Sequence, residues 1–191
     1  MKKAILLFVF AVSIAAVSQA QDVKFGVKGG LNLASLSGED ADEAKMKIGF
    51  HVGGLVQLPV AEQLMIQPEL VFSAQGAKDE DDDDNKLNLG YINVPVLAKY
   101  QSTSGFFGET GPQLGILLSA KSKFEGGSND VKDAMKKIDF SWAFGIGYQT
   151  ASNVGVNVRY NLGLSKIYDE GEAKVKNSVF QIGVFYIFDT K

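Results

Sequence analysis

"IDFSWAFGIGYQ", residues 138–149, sorts by strict alternation into two unlike faces. Ile138, Phe140, Trp142, Phe144, Ile146 and Tyr148 share one face, and Asp139, Ser141, Ala143, Gly145, Gly147 and Gln149 share the other. Period two marks a β-strand. In a soluble sheet the aromatic face would enter a core and the second face, bearing Lys, Glu or Thr, would meet water. Here the second face is mostly of glycine size. Glycine weakens a strand interior and marks a place where something approaches the backbone closely. The small face is therefore expected to point into a crowded interior and the large face outward, into lipid.

The same alternation recurs along the chain. Near the N-terminus Phe25, Val27, Leu31 and Leu33 oppose Lys24, Lys28 and Asn32, and in the next segment Ile48, Phe50, Val52 and Val56 oppose Lys47, His51 and Gln57. Leu64, Ile66, Leu70 and Phe72 then oppose Gln67, Glu69, Ser73 and Gln75. "LNLGYINVPVLAKY" mixes Tyr91 and Leu97 with Asn93 and Lys99 on its polar side. "GFFGETGPQLGILLSA" sets Phe106, Leu114, Ile116 and Leu118 against Glu109, Gln113 and Ser119. After residues 138–149, "VGVNVRYNLGLS" sets Val154, Val156, Val158, Tyr160, Leu162 and Leu164 against Asn157, Arg159 and Asn161, and "SVFQIGVFYIF" is the eighth segment. Eight alternating segments, each of a length that crosses a bilayer when tilted, predict an all-β fold: an eight-stranded antiparallel transmembrane barrel with meander topology.

The connections alternate as well. Short links fall near 59–63, 101–104 and 150–153, and long polar ones near 37–45, 77–86, 121–137 and 166–177, as expected of periplasmic turns and extracellular loops. Pro68, Pro95 and Pro112 fall inside strands, where a missing N–H predicts local bulges. A soluble lipocalin-like carrier has the same strand count with the apolar face turned inward. The last strand favours the membrane: "QIGVFYIF" carries Gln181, Gly183, Tyr186 and Phe188 in a polar, x, Gly, x, x, aromatic, x, aromatic order. It resembles the C-terminal signal by which outer-membrane barrels are recognised for assembly.

The chain opens "MKKAILLFVFAVSIAAVSQAQ", a basic start, an apolar run and small residues at Ser18 and Ala20. That layout predicts a secretory signal peptide over 1–20, cleaved to leave a barrel domain over 21–191. Taking 20 from 191 residues leaves 171, the size of one domain. Without Lys2 and Lys3, 17 basic residues face 22 acidic ones, a formal charge of −5 that argues against a nucleic-acid partner. The absence of cysteine excludes disulfides and zinc thiolates.

With these residues in view, the mature chain resembles the PorT-like family of outer-membrane β-barrel proteins, of the small OmpA/OmpX type of architecture. The resemblance rests on "FGVKGGLNLASL", "QPELVFSAQGAK", "YINVPVLAKY" and "GETGPQLGILLSAK" at the first, third, fourth and fifth strands. It implies an outer-membrane location. The family's namesake is tied to protein export through a dedicated secretion system, which implies an accessory or interaction role in the envelope. The expected partners are outer-membrane lipids, the barrel-assembly machinery, and secretion-system or envelope proteins met through the long loops.

An eight-stranded lumen is just wide enough for side chains to fill. Lys28, Glu69 and Arg159 fall near mid-strand on the polar face, with Glu109 lower. Buried charges need partners, so these four are expected to form a lumenal network completed by Asn93, Gln113 and Asn157. His51, the only histidine, reads as another plug residue rather than a general base, since no Ser/His/acid spacing accompanies it. The acids 79–84 within 78–86 could hold a divalent cation, but an EF-hand-like count from Asp81 meets Lys86 where Gly is wanted, and a run of like charge is normally solvated. No catalytic residue, metal ligand or cofactor is expected. A narrow pore for small solutes is the alternative function, and the lipocalin-like carrier the alternative fold.

Overall fold

The computed structural model describes residues 23–37, 44–79, 85–167 and 175–188. The predicted leader and the acids 80–84 lie outside the described residues. Strands β1 (Lys24–Ser37), β2 (Ala44–Ala61), β3 (Leu64–Asp79), β4 (Lys86–Gln101), β5 (Phe106–Phe124), β7 (Ile138–Gln149), β8 (Val154–Gly163) and β9 (Lys176–Ile187) form the wall. A short β6 (Gly127–Asp130) folds back on the end of β5. Each wall strand pairs antiparallel with its chain neighbours, and β1 pairs β9 from Gly26↔Ile187 to Ser37↔Lys176. The sheet is thus a closed eight-stranded meander without an open edge, which is what lipid demands of a β-protein.

Burial follows the alternation inside out. Ile138, Phe144 and Ile146 of β7 are 60%, 51% and 65% exposed, whereas Asp139, Ser141 and Ala143 are buried. Leu31, Ile48, Phe50, Leu70, Val156, Ile182 and Val184 are likewise exposed on their strands. So large an apolar surface facing water would forfeit about 25 cal/mol per Å². In a bilayer it is the solvated face. Phe25, Tyr100, Phe106, Tyr148, Tyr186 and Phe188 ring the end with short turns, and Phe50, Phe140, Trp142 and Phe180 lie toward the other, as interfacial girdles do.

The small face of β7 makes room for the lumen. A Cβ built on Gly145 would lie 2.8 Å from Glu109 Oε1, and one on Gly147 only 2.3 Å from Phe107 Cζ. Glycine is required at both positions because side chains from β5 lie over them and the β8 backbone oxygens of Val156 and Val158 crowd the same space, that of Val156 also at 2.3 Å from the Gly147 position.

Two expectations are corrected. Pro68, Pro95 and Pro112 mark no bulges: they pair with Val96, Gln113 and Trp142 in undisturbed register. The ladder merely skips 69–70 against 94–95 and 96–97 against 111–112, because proline deletes a donor, not a residue. The register shifts lie elsewhere, at Met46/His51, Pro59/Ala61 and Gly90/Tyr91. The last of these inserts a residue into β5, so that Ser119 is exposed instead of facing the lumen and Ala120 turns inward.

Beyond β6 a 3₁₀ turn (Lys132–Ala134) carries Met135 into a cluster with Leu89, Tyr91, Leu117 and Ala120, joined by Leu87 and Val131. Bonds from Val131 N to Ala120 O, and from Lys136 N to Ile167 O, hold this segment against β5 and the segment that follows β8. Toward the periplasmic end Leu55, Phe107, Phe185 and Ile187 form a second buried apolar cluster. Below it opens a vestibule of about 750 Å³ bordered by Lys24, Gln57, Met65, Gln101 and Gln149.

Candidate functional site

Between the two apolar clusters the lumen is crossed by charge. Lys28, Glu69, Glu109 and Arg159 belong to β1, β3, β5 and β8, and all four are buried. In the closed ring β8 stands diametrically opposite β3, four strands away either way round, and β1 stands opposite β5. Arg159 reaches across the full bore. Its Nη1 and Nη2 donate to Glu69 Oε2 and Oε1, both at 2.8 Å, a bidentate pair. Its Nε and Nη2 donate to Glu109 Oε1 at 2.8 and 2.6 Å. Lys28 Nζ donates to Glu69 Oε2 at 3.0 Å, completing a cluster of two cations and two carboxylates.

Of the amides expected around this cluster, Asn157 reaches it, donating to Glu109 Oε1 at 3.4 Å. Gln113 donates instead to Ser141 Oγ at 3.0 Å, and Asn93 is buried without a bond to the four charges among the described residues. Gln67, not singled out in the sequence, takes the nearer place: its Nε2 donates to Glu69 Oε1 at 2.8 Å and its Oε1 accepts from Gln57 at 3.0 Å. Its inward parity beside Glu69 was the available signal.

Lys99 is a second omission. It is 1% exposed, donates to Gln149 Oε1 at 3.2 Å, and holds its ammonium 3.9 Å from the centroid of Phe107 and 4.9 Å from that of Phe185. No carboxylate lies within ion-pair distance of it among the described residues; the Gln149 oxygen and the two ring faces supply its negative potential.

On the extracellular side of the charges lies an amide network. Asn32 Nδ2 donates to Phe50 O, Ala74 O and Ser73 Oγ, each at 2.9 Å. Two of these acceptors are carbonyls, which fixes the amide's orientation and leaves Oδ1 to accept from His51 Nδ1 at 2.8 Å and Gln181 Nε2 at 3.0 Å. His51 therefore carries its proton on Nδ1. No acid or hydroxyl side chain hydrogen-bonds to it among the described residues. A Cβ on Gly183 would come within 3.0 Å of His51 Nε2, so the glycine of the C-terminal motif is required by lumenal packing, as Gln181 is by Asn32. Tyr186 and Phe188 face outward in edge-to-face contact at 5.4 Å.

The family model of the outer membrane protein beta-barrel domain matches residues 19–169. The chain belongs to that family. Its residence in the outer membrane follows, with the apolar wall in lipid. The Neisserial surface protein A (NspA) is similar in fold at a TM-score of 0.61 and 16% identity, over 88% of this chain and 100% of that one. Ail, the attachment invasion locus protein of Yersinia pestis, is similar at 0.51 and 15% identity, over 88% and 100%. At such identities the likeness concerns the fold. No curated protein matches the chain in sequence.

Proposed function

We propose that this barrel is a closed envelope anchor and interaction module: it conducts no solute and catalyses no reaction, and it presents its long loops to other envelope components. The charged tier carries the reading. Arg159 bridges Glu69 and Glu109 across the bore, and the clusters around Phe107 and Met135 flank it with apolar side chains on both sides. A passage for solutes would need all three layers to part. The lone histidine is committed to Asn32 inside the wall, away from any lipid substrate. The network of Lys28, Glu69, Glu109, Asn157 and Arg159 acts as the plug and sets strand register, while Tyr186 and Phe188 serve the assembly machinery. The PorT-like segments of the first, third, fourth and fifth strands support a role as an accessory of protein export.

Two measurements test this. The purified barrel in a planar bilayer is expected to be electrically silent, and stepwise currents would replace the anchor with the narrow pore. Deletion in the native cell is expected to trap export cargo in the periplasm; unchanged secretion would remove the export role and leave the anchor.

A further inference from the structure

One nitrogen of His51 is answered within the chain and the other is not. Asn32, whose amide is oriented by two carbonyl acceptors, takes the Nδ1 proton on its Oδ1 at 2.8 Å, which leaves Nε2 a bare lone pair. Asn157 presents the matching atom from β8. Its Nδ2 is turned to the Glu109 carboxylate at 3.4 Å, so its Oδ1 points away from that charge, buried and without a hydrogen-bond partner among the described residues. Neither Nε2 nor Oδ1 carries a proton.

Gly183 brings the two together. Its Cβ position lies 2.9 Å from Asn157 Oδ1, 3.0 Å from His51 Nε2 and 3.3 Å from the Gly29 carbonyl oxygen. The first two atoms are therefore within about 6 Å of each other, and two hydrogen bonds of about 2.8 Å through one water span up to about 5.6 Å. A buried acceptor left bare loses the hydration of its lone pair and gains nothing in return. The donors nearby are held elsewhere: Asn32 Nδ2 by Phe50 O, Ser73 Oγ and Ala74 O, Gln181 Nε2 by Asn32 Oδ1, and the Arg159 guanidinium by the two glutamates. A second proton on the ring would serve, but Lys28 and Arg159 both act on His51 against the single carboxylate of Glu69. The donor that these acceptors call for is neutral and comes from outside the chain.

We infer that the space before Gly183 is a binding site for one water molecule, which donates one proton to His51 Nε2 and the other to Asn157 Oδ1. Buried waters of this kind answer polar groups that a chain cannot pair by itself. The water joins two networks that no side-chain hydrogen bond connects among the described residues: the amides of Asn32 and Gln181, and the charged tier entered at Glu109 through Asn157. Glycine at 183 leaves the approach open, where a methyl group would stand among three acceptors. The site goes beyond the anchor role and is independent of what the loops bind.

The test uses the full mature chain refolded in nanodiscs with isotope-labelled histidine. His51 is the only histidine, so its ring signals are unambiguous. Long-range nitrogen–proton correlation is expected to show Nδ1 protonated and Nε2 bare. The ring protons flanking Nε2 should give a cross-peak at the water frequency, although the residue is only 2% exposed. Asn157→Leu removes one of the two acceptors and should abolish that cross-peak while Nδ1 stays protonated. Ser73→Ala, which removes a hydroxyl able to relay proton exchange, should leave it in place. Heat-modified gel mobility confirms folding, and Gly183→Ala, which fills the approach and should also abolish the cross-peak, serves if Asn157→Leu does not fold. The spectrum of the unaltered chain decides by itself if neither variant folds. A protonated Nε2 there would assign the contact to an imidazolium and overturn the water, as would the absence of a cross-peak. A cross-peak that survives Asn157→Leu, or is lost in Ser73→Ala, would place its source elsewhere and overturn the site equally.

Discussion

Replacing Arg159 with Met tests the charged tier directly. The guanidinium makes four hydrogen bonds of 2.6 to 2.8 Å to Glu69 and Glu109, and the residue is 2% exposed. Methionine fills much of the stem's volume but leaves two buried carboxylates facing one bonded ammonium, that of Lys28. Removing one partner from a buried, hydrogen-bonded pair costs about 3–5 kcal/mol, most of it the penalty of the charge left behind. The expected loss is of that size, read as urea unfolding of the barrel refolded into phospholipid vesicles. Trp142, the only tryptophan, faces lipid and reports the transition by its fluorescence. Glu109→Gln should be destabilising in the unaltered chain and should recover about 1–3 kcal/mol in the Arg159→Met background, because there it removes an uncompensated charge. Arg159→Lys should retain most of the deficit, since one ammonium cannot chelate Glu69 and reach Glu109 together. A loss below about 1 kcal/mol for Arg159→Met, or the same cost for Glu109→Gln in both backgrounds, would refute the reasoning.

Gly147→Leu drives a side chain against both Phe107 Cζ and the backbone oxygen of Val156, each 2.3 Å from the Cβ position, and is expected to prevent the heat-modifiable band from forming on gels; adding Phe107→Ala should not restore it, because the β8 carbonyl still blocks the site. Ile146→Arg, at a lipid-facing position 65% exposed, should cost about 2–4 kcal/mol in vesicle unfolding, against about 0–1 for Ile138→Arg at the rim; equal costs would contradict the depth assigned to β7. Phe107→Ala with Phe185→Ala removes the edge-to-face pair at 5.8 Å that closes the periplasmic cluster and cages Lys99. Bilayer conductance should stay silent in this variant so long as the Arg159 tier is intact, and currents from it would mean that the apolar layer was the seal.

The wall was legible because a two-residue period needs no long-range information. Residues 138–149 and 154–163 show both faces without exception, and the structure pairs them from Ser141↔Gly163 to Gln149↔Gly155. The bore was legible only in composition. Parity puts Lys28, Glu69, Glu109 and Arg159 inside, but which of them meet depends on the barrel's shear, which no single strand reveals. Hence Gln67 takes a contact that Gln113 was expected to make, and Lys99 finds two aromatic rings. β6 could not be read at all: its four residues are all exposed, so no alternation distinguishes GSND from a loop. The bulge that turns Ser119 outward was hidden for a related reason. It arises opposite Gly90–Tyr91, a pairing visible only once β4 and β5 are side by side.

The two faces also differ in what they specify. Sliding one strand past its neighbour by two residues keeps every apolar side chain of the wall in lipid, so the outer face tolerates the slip. The lumen does not tolerate it. Arg159 and Glu69 are 90 residues apart in sequence and on opposite sides of the ring, and their bidentate bond forms only when the intervening strands hold their native stagger. A two-residue slip moves the guanidinium about 7 Å along its strand, beyond any hydrogen bond, and leaves three charges buried without it. On the proposed reading the ion pairs therefore contribute more to choosing one register than to net stability, where desolvation offsets much of their attraction. An apolar replacement of all four residues would be the discriminating variant: it should remain stable in urea yet fold to more than one species on heat-modified gels.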